Sequence, residues 1–330
     1  MSVTLLASSL TSTVGTPSLG TADPVSAPPR RDAMTTSVLA ISVDALNPSA
    51  IRKLGRAGVP NLFRLIDEGA STLDARTARE LTLTLPNHTS MVTGRRVEKA
   101  QGGHGVTWNT DRPGTTVQGA AGHGVASIFT VVHAGGDSSA VFSTKEKFSL
   151  FKRSWGEGID RFLVAEEDDL ALMKAARADL VQNGRALTFV HFGGADKAGH
   201  DTTFLGPRYL DAVRLIDRLV GNLLRAIDRH DSLADTVVVL TADHGGSGEG
   251  HSDATKRFNY TVPFVVAGPG VSHGDLYELN PAYADPGRAR TDYAGRQPIR
   301  NADLANLVAD LLGLAPVPGS EFGTAVDWQF

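Results

Sequence analysis

From residue 36 onward, short runs of aliphatic and β-branched residues alternate with longer segments in which apolar side chains recur at helical spacing. The short runs predict strands at residues 37–43, 140–142, 186–192, 236–241 and 262–267. The longer segments predict helices at residues 61–69, 86–94, 166–183, 207–229 and 303–314. Strands that alternate with helices predict an α/β fold, in which a mostly parallel central sheet carries helices on both faces.

Two features of the pattern concern the rim of this sheet. The strand at residues 262–267 contains Pro263, which cannot donate a hydrogen bond to a central ladder, so an edge strand is predicted there. Residues 280–300 are polar and rich in glycine, proline and arginine, which predicts a long surface loop.

The domain organisation follows from where the alternation begins. No linker-like stretch interrupts it, so residues 34–330 are predicted to form a single domain. Residues 1–33 are rich in serine, threonine, proline, glycine and alanine, which predicts a flexible leader or the remnant of an export signal. No basic residue precedes the short apolar run at residues 3–7, as it would in an ordinary signal peptide. For the location of the protein, we favour an extracytoplasmic or secreted one over the cytoplasm.

Composition excludes several classes of site and partner. The chain has no cysteine, which excludes disulfides, thiolate metal ligands, a cysteine nucleophile and a sulfatase nucleophile matured from cysteine. The formal net charge is -4 and no long basic run occurs, so no nucleic-acid-binding surface is expected. No stretch approaches the roughly 18 apolar residues of a membrane span. A small anionic substrate would therefore be held by metal ions or by a few lysine and arginine side chains.

Three of the predicted strands are followed by residues that can bind a metal ion. Asp44 follows the first strand, Asp196 and His200 follow the third, and Asp243 and His244 follow the fourth. Ligands of open α/β sheets bind beyond the carboxyl ends of the strands, so we expect these side chains to meet at one edge. Each pattern alone has an ordinary interpretation, as a helix cap or a surface pair. Together they indicate a metal centre.

The spacing within these patterns suits an ion such as zinc. Asp196 and His200 are four residues apart, which places both on one face of a helical turn. Asp243 and His244 are adjacent, and the glycines after them allow the backbone turn that joint ligation requires. His251 follows in a glycine-rich loop. Imidazole nitrogen and carboxylate oxygen are both zinc ligands, and manganese or iron can occupy similar sites.

Thr84 lies just before a predicted helix start and is a candidate nucleophile. Free backbone N–H groups and the helix dipole at such a position attract phosphate oxygens. A threonine hydroxyl is a poor nucleophile at neutral pH, and a bound metal ion would lower its pKa. The alternative interpretation is that Thr84 only caps the helix.

The motifs that combine these residues resemble one known superfamily. They are Thr-Leu-Pro-Asn-His at residues 84–88, Asp-Lys-Ala-Gly-His at 196–200, Asp-His-Gly at 243–245, and His-Gly at 104–105 followed by Asn109. As a set, over residues 36 to about 320, the chain resembles the alkaline phosphatase superfamily, and most of all its nucleotide pyrophosphatase/phosphodiesterase (type I phosphodiesterase) branch. Leu85 departs from that branch, which has an aromatic residue after the nucleophile.

The resemblance implies a complete set of functional residues. One zinc ion would be held by Asp196, His200 and His251, and a second by Asp44, Thr84, Asp243 and His244. His273 is the rival of His251, because the last histidine ligand of the family lies in a loop of variable length. Asn109 would donate to a non-bridging oxygen of the substrate, and His191 is interpreted as structural.

The implied activity is hydrolysis of phosphate esters through a phosphorylated Thr84. A diester is favoured over a monoester, whose extra charge calls for more cations near the site. Lys145, with Lys147 as a second candidate, could supply that charge, although the favoured interpretation sets both on a solvated face with Glu146 as a local partner. The remaining alternative is a metal- and phosphate-binding protein without turnover. The leaving group and the oligomeric state leave no signal in the sequence.

Overall fold

An eight-stranded sheet lies at the centre of the protein, in a computed structural model that describes residues 1–2, 36–324 and 328–329. The chain divides into two units, Met1–Met34 and Thr35–Phe330, and the sheet belongs to the second. The predicted leader at residues 1–33 lies outside the described residues, except for its first two.

The strands begin and end as follows. They are β1 Ser37–Val43, β2 Ala70–Arg76, β3 Ser139–Ser143, β4 Arg161–Val164, β5 Leu187–Phe192, β6 Thr236–Thr241, β7 Thr261–Ala267 and β8 Gly274–Asp275. Their order across the sheet is β4-β3-β5-β1-β6-β7-β2-β8. The first five strands in this order, β4, β3, β5, β1 and β6, are parallel to one another. Strand β7 is antiparallel to both of its neighbours. The sheet is thus mostly parallel, as predicted.

Helices surround this sheet. They are α1 Pro48–Gly58, α2 Pro60–Glu68, α3 Thr84–Thr93, α4 Val117–Ala121, α5 Ile128–Ala134, α6 Ser149–Trp155, α7 Asp169–Asn183, α8 Gly194–Asp201, α9 Pro207–Arg229, α10 Arg257–Tyr260, α11 Leu276–Leu279 and α12 Leu304–Leu311. One group, α1, α2, α7, α8 and α9, packs together around α9, and another is formed by α3, α5 and α12. The two groups cover the sheet, which confirms the predicted α/β fold.

The inner strands form because they are apolar on both faces. Every residue of β5, β6 and β7 is buried, and so are six of the seven residues of β1. A parallel strand between two helical layers has no solvent face, so its sequence is a continuous apolar run. None of the described helices combines the length and the apolar character needed to cross a lipid bilayer, including the 23-residue α9.

The prediction that residues 262–267 form an edge strand is wrong, because β7 lies between β6 and β2. Pro263 is tolerated there because the ladder with β6 ends at the pair Thr241–Phe264 and does not include the proline next to Phe264. The carbonyl of Pro263 accepts a hydrogen bond from the Thr241 hydroxyl, 2.8 Å away. On the other side the register with β2 shifts between Thr72 and Ala75, opposite the proline.

The predicted surface loop at residues 280–300 has no helix or β-strand, but it is tied to the molecule by two buried arginines. Arg76 donates to the carbonyls of Gly287 and Ala289, and Arg300 donates to the carbonyl of Thr77. Both side chains are at most 2% exposed. The segment is therefore largely a surface loop, as predicted, but these hydrogen bonds hold it against the end of β2.

Helix α9 is joined to the start of α2 by one buried carboxylate. Asp217, which is 1% exposed, accepts hydrogen bonds from the backbone N–H of Leu62 at 2.8 Å and from the amide of Asn61 at 2.7 Å. We expect Asp217→Ala to lower the free energy of unfolding by about 2–4 kcal/mol, because it leaves these donors without an acceptor. Urea denaturation measures this value.

The matched control is Asp211→Ala on the same helix. Asp211 is exposed and, among the described residues, pairs with Arg214 in the next turn, so its loss should change stability by less than about 0.5 kcal/mol. Equal effects of the two substitutions would contradict the role given to Asp217.

Candidate metal centre

The carboxyl ends of three adjacent strands bring the predicted ligands together. Strands β5, β1 and β6 lie side by side and parallel. Asp44 directly follows β1, while Asp243 and His244 follow β6 after one residue. The chain leaving β5 enters α8, which carries Asp196 and His200 one turn apart. Because parallel strands end at one edge, residues far apart in sequence meet there.

Asp196, His200 and His251 form the first group that could hold a metal ion. The Nε2 atoms of the two histidines are 3.0 Å apart, and they lie 3.3 and 3.5 Å from Oδ1 of Asp196. His251 is kept in this position by a 2.7 Å hydrogen bond between its Nδ1 and the carbonyl of Thr82. His273, the predicted rival, is exposed on the loop before β8 and interacts with Asp67 at the end of α2.

Asp44, Asp196 and His244 form a second group, whose ligand atoms lie within 4.8 Å of one another. Nε2 of His244 is 3.4 Å from Asp44 Oδ1 and 3.2 Å from Asp243 Oδ2. Asp243 is oriented by its other oxygen, which accepts from the backbone N–H groups of Ala45 and His244. Asp196 thus belongs to both groups, whereas the resemblance implied that it holds only one of the two ions.

Five ligand atoms at this edge are buried without a hydrogen-bond partner among the described residues. They are Asp44 Oδ1, Thr84 Oγ1, Asp196 Oδ1, Asp243 Oδ2 and His244 Nε2. Burying polar atoms without partners costs free energy, so such a cluster calls for a ligand. Carboxylate, hydroxyl and imidazole donors at this density fit divalent cations such as zinc.

The segment of residues 82–84 lies beside these side chains, because the carbonyl of Thr82 contacts His251. Helix α3 begins at Thr84, two residues before the predicted start, and it ends at Thr93, after which Gly94 adopts the left-handed conformation. His88, one turn along the helix, contacts both Thr84 and Asp243. Its Nδ1 is 2.8 Å from the Thr84 carbonyl and 3.6 Å from Asp243 Oδ2. Thr84 is 1% exposed, and its hydroxyl belongs to the unpartnered atoms above.

Asn109 is held against the same helix start. Its side-chain oxygen accepts from the backbone N–H of Leu85 at 2.9 Å. A backbone N–H can only donate, so this contact fixes the oxygen and leaves the NH2 group of Asn109 for another acceptor. Asn109 also lines a cleft of about 490 Å³, together with Thr144, Lys145 and Asp196. The amide is therefore placed to donate to a ligand in the cleft.

Lys145 does not lie on a solvated face with Glu146, which was the favoured interpretation of the sequence. Its ammonium is 2.6 Å from Asp44 Oδ2 and 2.6 Å from Asp196 Oδ2, and the side chain is 17% exposed. Glu146 instead accepts from Ser149. Lys147 lines the cleft without reaching either aspartate. The lysine after β3 is thus part of the candidate site.

The charges and burial of the site set its protonation. Burial lowers the pKa of His244 to about 3, with His251 adding to the effect, so the imidazole is neutral and can bind a metal ion. Burial alone would raise the pKa of Asp44, but Lys145 and the hydrogen bond from His191 hold it well below its usual value. Burial and the charge of Asp44 raise the pKa of Asp243.

His191 supports the site in a way that its sequence position did not indicate. Its Nε2 lies 3.0 Å from Asp44 Oδ2, and its Nδ1 lies 3.1 Å from the hydroxyl of Ser143. Residues that bind the second oxygen of a ligand carboxylate orient that ligand. The sequence indicates only that His191 lies near the end of a strand. It does not indicate that this strand, β5, pairs with β1, which precedes Asp44.

Comparisons with known proteins agree with this geometry. The family model described as type I phosphodiesterase/nucleotide pyrophosphatase matches residues 38–294. Curated relatives include the GPI ethanolamine phosphate transferase 1 proteins of Chaetomium globosum and Yarrowia lipolytica, with 31% and 30% identity. Each match covers 41% of this chain and 15% of the relative, so the chain corresponds to a small part of those proteins.

Solved structures share the fold. Murine ectonucleotide pyrophosphatase/phosphodiesterase 5, in an inactive form in complex with AMP, has a TM-score of 0.66 and 13% identity, covering 89% of this chain and 100% of that one. A 2-O GAG sulfatase has a TM-score of 0.60 and 16% identity, covering 86% and 72%. At these identities the likeness concerns the fold alone. With the family match over most of its length, the chain belongs to the type I phosphodiesterase/nucleotide pyrophosphatase family, within the alkaline phosphatase superfamily.

Proposed function

We propose that this protein hydrolyses phosphate esters at a centre of two divalent cations, with Thr84 as the nucleophile and a diester as the favoured substrate. The observation that carries the proposal is the set of buried, unpartnered ligand atoms that includes the Thr84 hydroxyl. Asp196, His200 and His251 would hold one cation, and Asp44, Asp243, His244 and Thr84 the other. Zinc, which this donor set suits, would lower the pKa of the hydroxyl and neutralise charge on the transferring group.

Thr84 performs the covalent step. Its oxygen forms a bond to phosphorus while the bond from phosphorus to the leaving oxygen breaks, and the hydroxyl proton is lost to solvent. The product is a phosphothreonine and a free alcohol, once the leaving oxygen takes a proton. Water then attacks phosphorus and restores the threonine, which releases phosphate from a monoester or a monoester from a diester.

Asn109 and the start of α3 orient the phosphoryl group. The free NH2 of Asn109 donates to a non-bridging oxygen, since its own oxygen is occupied by Leu85. The amino end of α3 adds its partial positive charge on the same side. Fixed donors of this kind stabilise charge in the transition state without having to reorganise during the reaction.

Two variations of this activity have support of their own. The position of Lys145 within the site favours hydrolysis of monoesters as a second candidate, because an ammonium can offset the extra charge. The names of the curated relatives, which are phosphate transferases, favour transfer as another candidate, in which an acceptor other than water resolves the phosphothreonine.

The first experiment compares two substrates on zinc-loaded protein. We expect kcat/KM for bis(p-nitrophenyl) phosphate to exceed that for p-nitrophenyl phosphate, as a diesterase requires. A ratio below one would make the protein a phosphomonoesterase, and Lys145→Ala should then abolish monoester turnover selectively. A rise in p-nitrophenol release on adding an alcohol, with the alcohol's phosphate ester as product, would indicate transfer. Metal-loaded protein that is inert toward all these esters would support the non-catalytic alternative.

Substitution of the nucleophile gives the second prediction. Thr84→Ala should keep its bound metal and lower kcat by about a thousandfold or more, because no oxygen remains to attack phosphorus. Thr84→Ser should retain part of the activity. The control is Thr93→Ala, which removes a buried hydroxyl bonded to the Thr89 carbonyl on the same helix. Near-normal turnover by Thr84→Ala would refute the assignment.

The metal ligands give the third prediction. We expect about two zinc ions per chain by mass spectrometry of metals, and a chelator should abolish activity that zinc restores. His251→Ala should lower the content toward one ion, because the first group loses a ligand. His273→Ala should leave it unchanged, since that histidine is exposed on the loop before β8. The reverse pattern would assign the ligand to His273.

A further inference from the structure

The ammonium of Lys145 joins two carboxylates that come from different parts of the fold. Lys145 follows β3, Asp44 follows β1, and Asp196 lies on α8. The ammonium is 2.6 Å from one oxygen of each aspartate. The two aspartates are at most 4% exposed, so both ion pairs are shielded from water. Shielded pairs of opposite charge are coupled much more strongly than surface pairs.

The same two aspartates are needed by the metal centre. Asp196 adjoins both groups of potential ligands, and Asp44 belongs to the second. A divalent cation bound to these carboxylates would bring its charge close to the ammonium in a poorly screened environment. Like charges there repel strongly, so the cation and the ammonium compete for Asp44 and Asp196.

Displacement of the ammonium requires only the side chain of Lys145 to move. The backbone N–H of Lys145 donates to the Ser143 hydroxyl, and its carbonyl accepts from the N–H of Phe148. These contacts hold the main chain. The four methylene groups can turn the ammonium toward the cleft that Lys145 itself lines.

We propose that Lys145 is a tethered competitor of the divalent cations, which lowers the metal affinity below what the ligands alone would give. A cation that binds displaces the ammonium from Asp44 and Asp196 and releases it into the cleft. The inference rests on the proposed metal centre and adds a means by which the chain regulates it. Metal binding and anion binding are then coupled, because the Lys145 ammonium is free to bind an anion only when metal is bound.

The test measures zinc affinity by competition with a chromophoric chelator, starting from zinc-loaded protein. Lys145→Met should tighten binding by about tenfold or more, since the competing charge is gone. Lys145→Arg keeps the charge and should remain close to wild type. The matched control is Lys147→Met, which removes a second lysine from the same cleft that acts on Asp44 and Asp196 only through space, so it should tighten zinc binding less than Lys145→Met does.

A thermal measurement separates competition from ordinary stabilisation. After chelation, Lys145→Met should melt at a lower temperature than wild type, because two buried carboxylates lose their partner. With excess zinc it should melt at the wild-type temperature or above. Unchanged or weaker zinc binding by Lys145→Met, with wild type binding normally, would overturn the role of Lys145 alone. Absence of zinc binding by wild type would instead remove the metal centre itself.

Discussion

Three carboxylates are buried at one edge of the sheet, and their mutual repulsion is the constraint on which the site depends. Asp44 and Asp243 are fully buried, and Asp196 is 4% exposed. Burial penalises each negative charge, so the fold must supply positive charge or hydrogen-bond donors nearby. Lys145, His191 and the N–H of Ala45 each meet part of this demand. The oxygens that remain unpartnered are those that a cation would take.

Elements around the edge hold these groups in place. Asn301, in a 3-10 turn before α12, donates to the carbonyls of Ala242 and Asp243 and so fixes the chain where it leaves β6. His88 extends the network from α3 through its 2.8 Å contact with the Ser42 hydroxyl on β1. Side chains supported in this way would not need to be ordered by a bound cation, which favours a site formed in advance.

The elements that could be predicted are those whose signal is local. Strands β1, β5 and β6 are continuous apolar runs, and the ligands follow them directly, so the fold and the convergence of the motifs were accessible from sequence. Strands β2 and β4 were missed because their residues are partly exposed and mix polar with apolar side chains. The inner position of β7, the contact of His191 with Asp44 and the placement of Lys145 depend on which strands are neighbours. Spacing along the chain does not carry that information.

The placement of Lys145 bears directly on which esters the proposed site would accept. An ammonium engaged by Asp44 and Asp196 cannot at the same time neutralise a second charge on a monoester, so Lys145 could serve a monoester only after a cation has displaced it. A diester, with one charge at the reacting phosphate, makes less demand on it. In the proposed site, substrate preference and metal affinity would therefore depend on one side chain, and a substitution that tightens metal binding should also weaken the recognition of the more highly charged substrate. This coupling follows from charge balance in a poorly screened site, whichever leaving group the cleft admits.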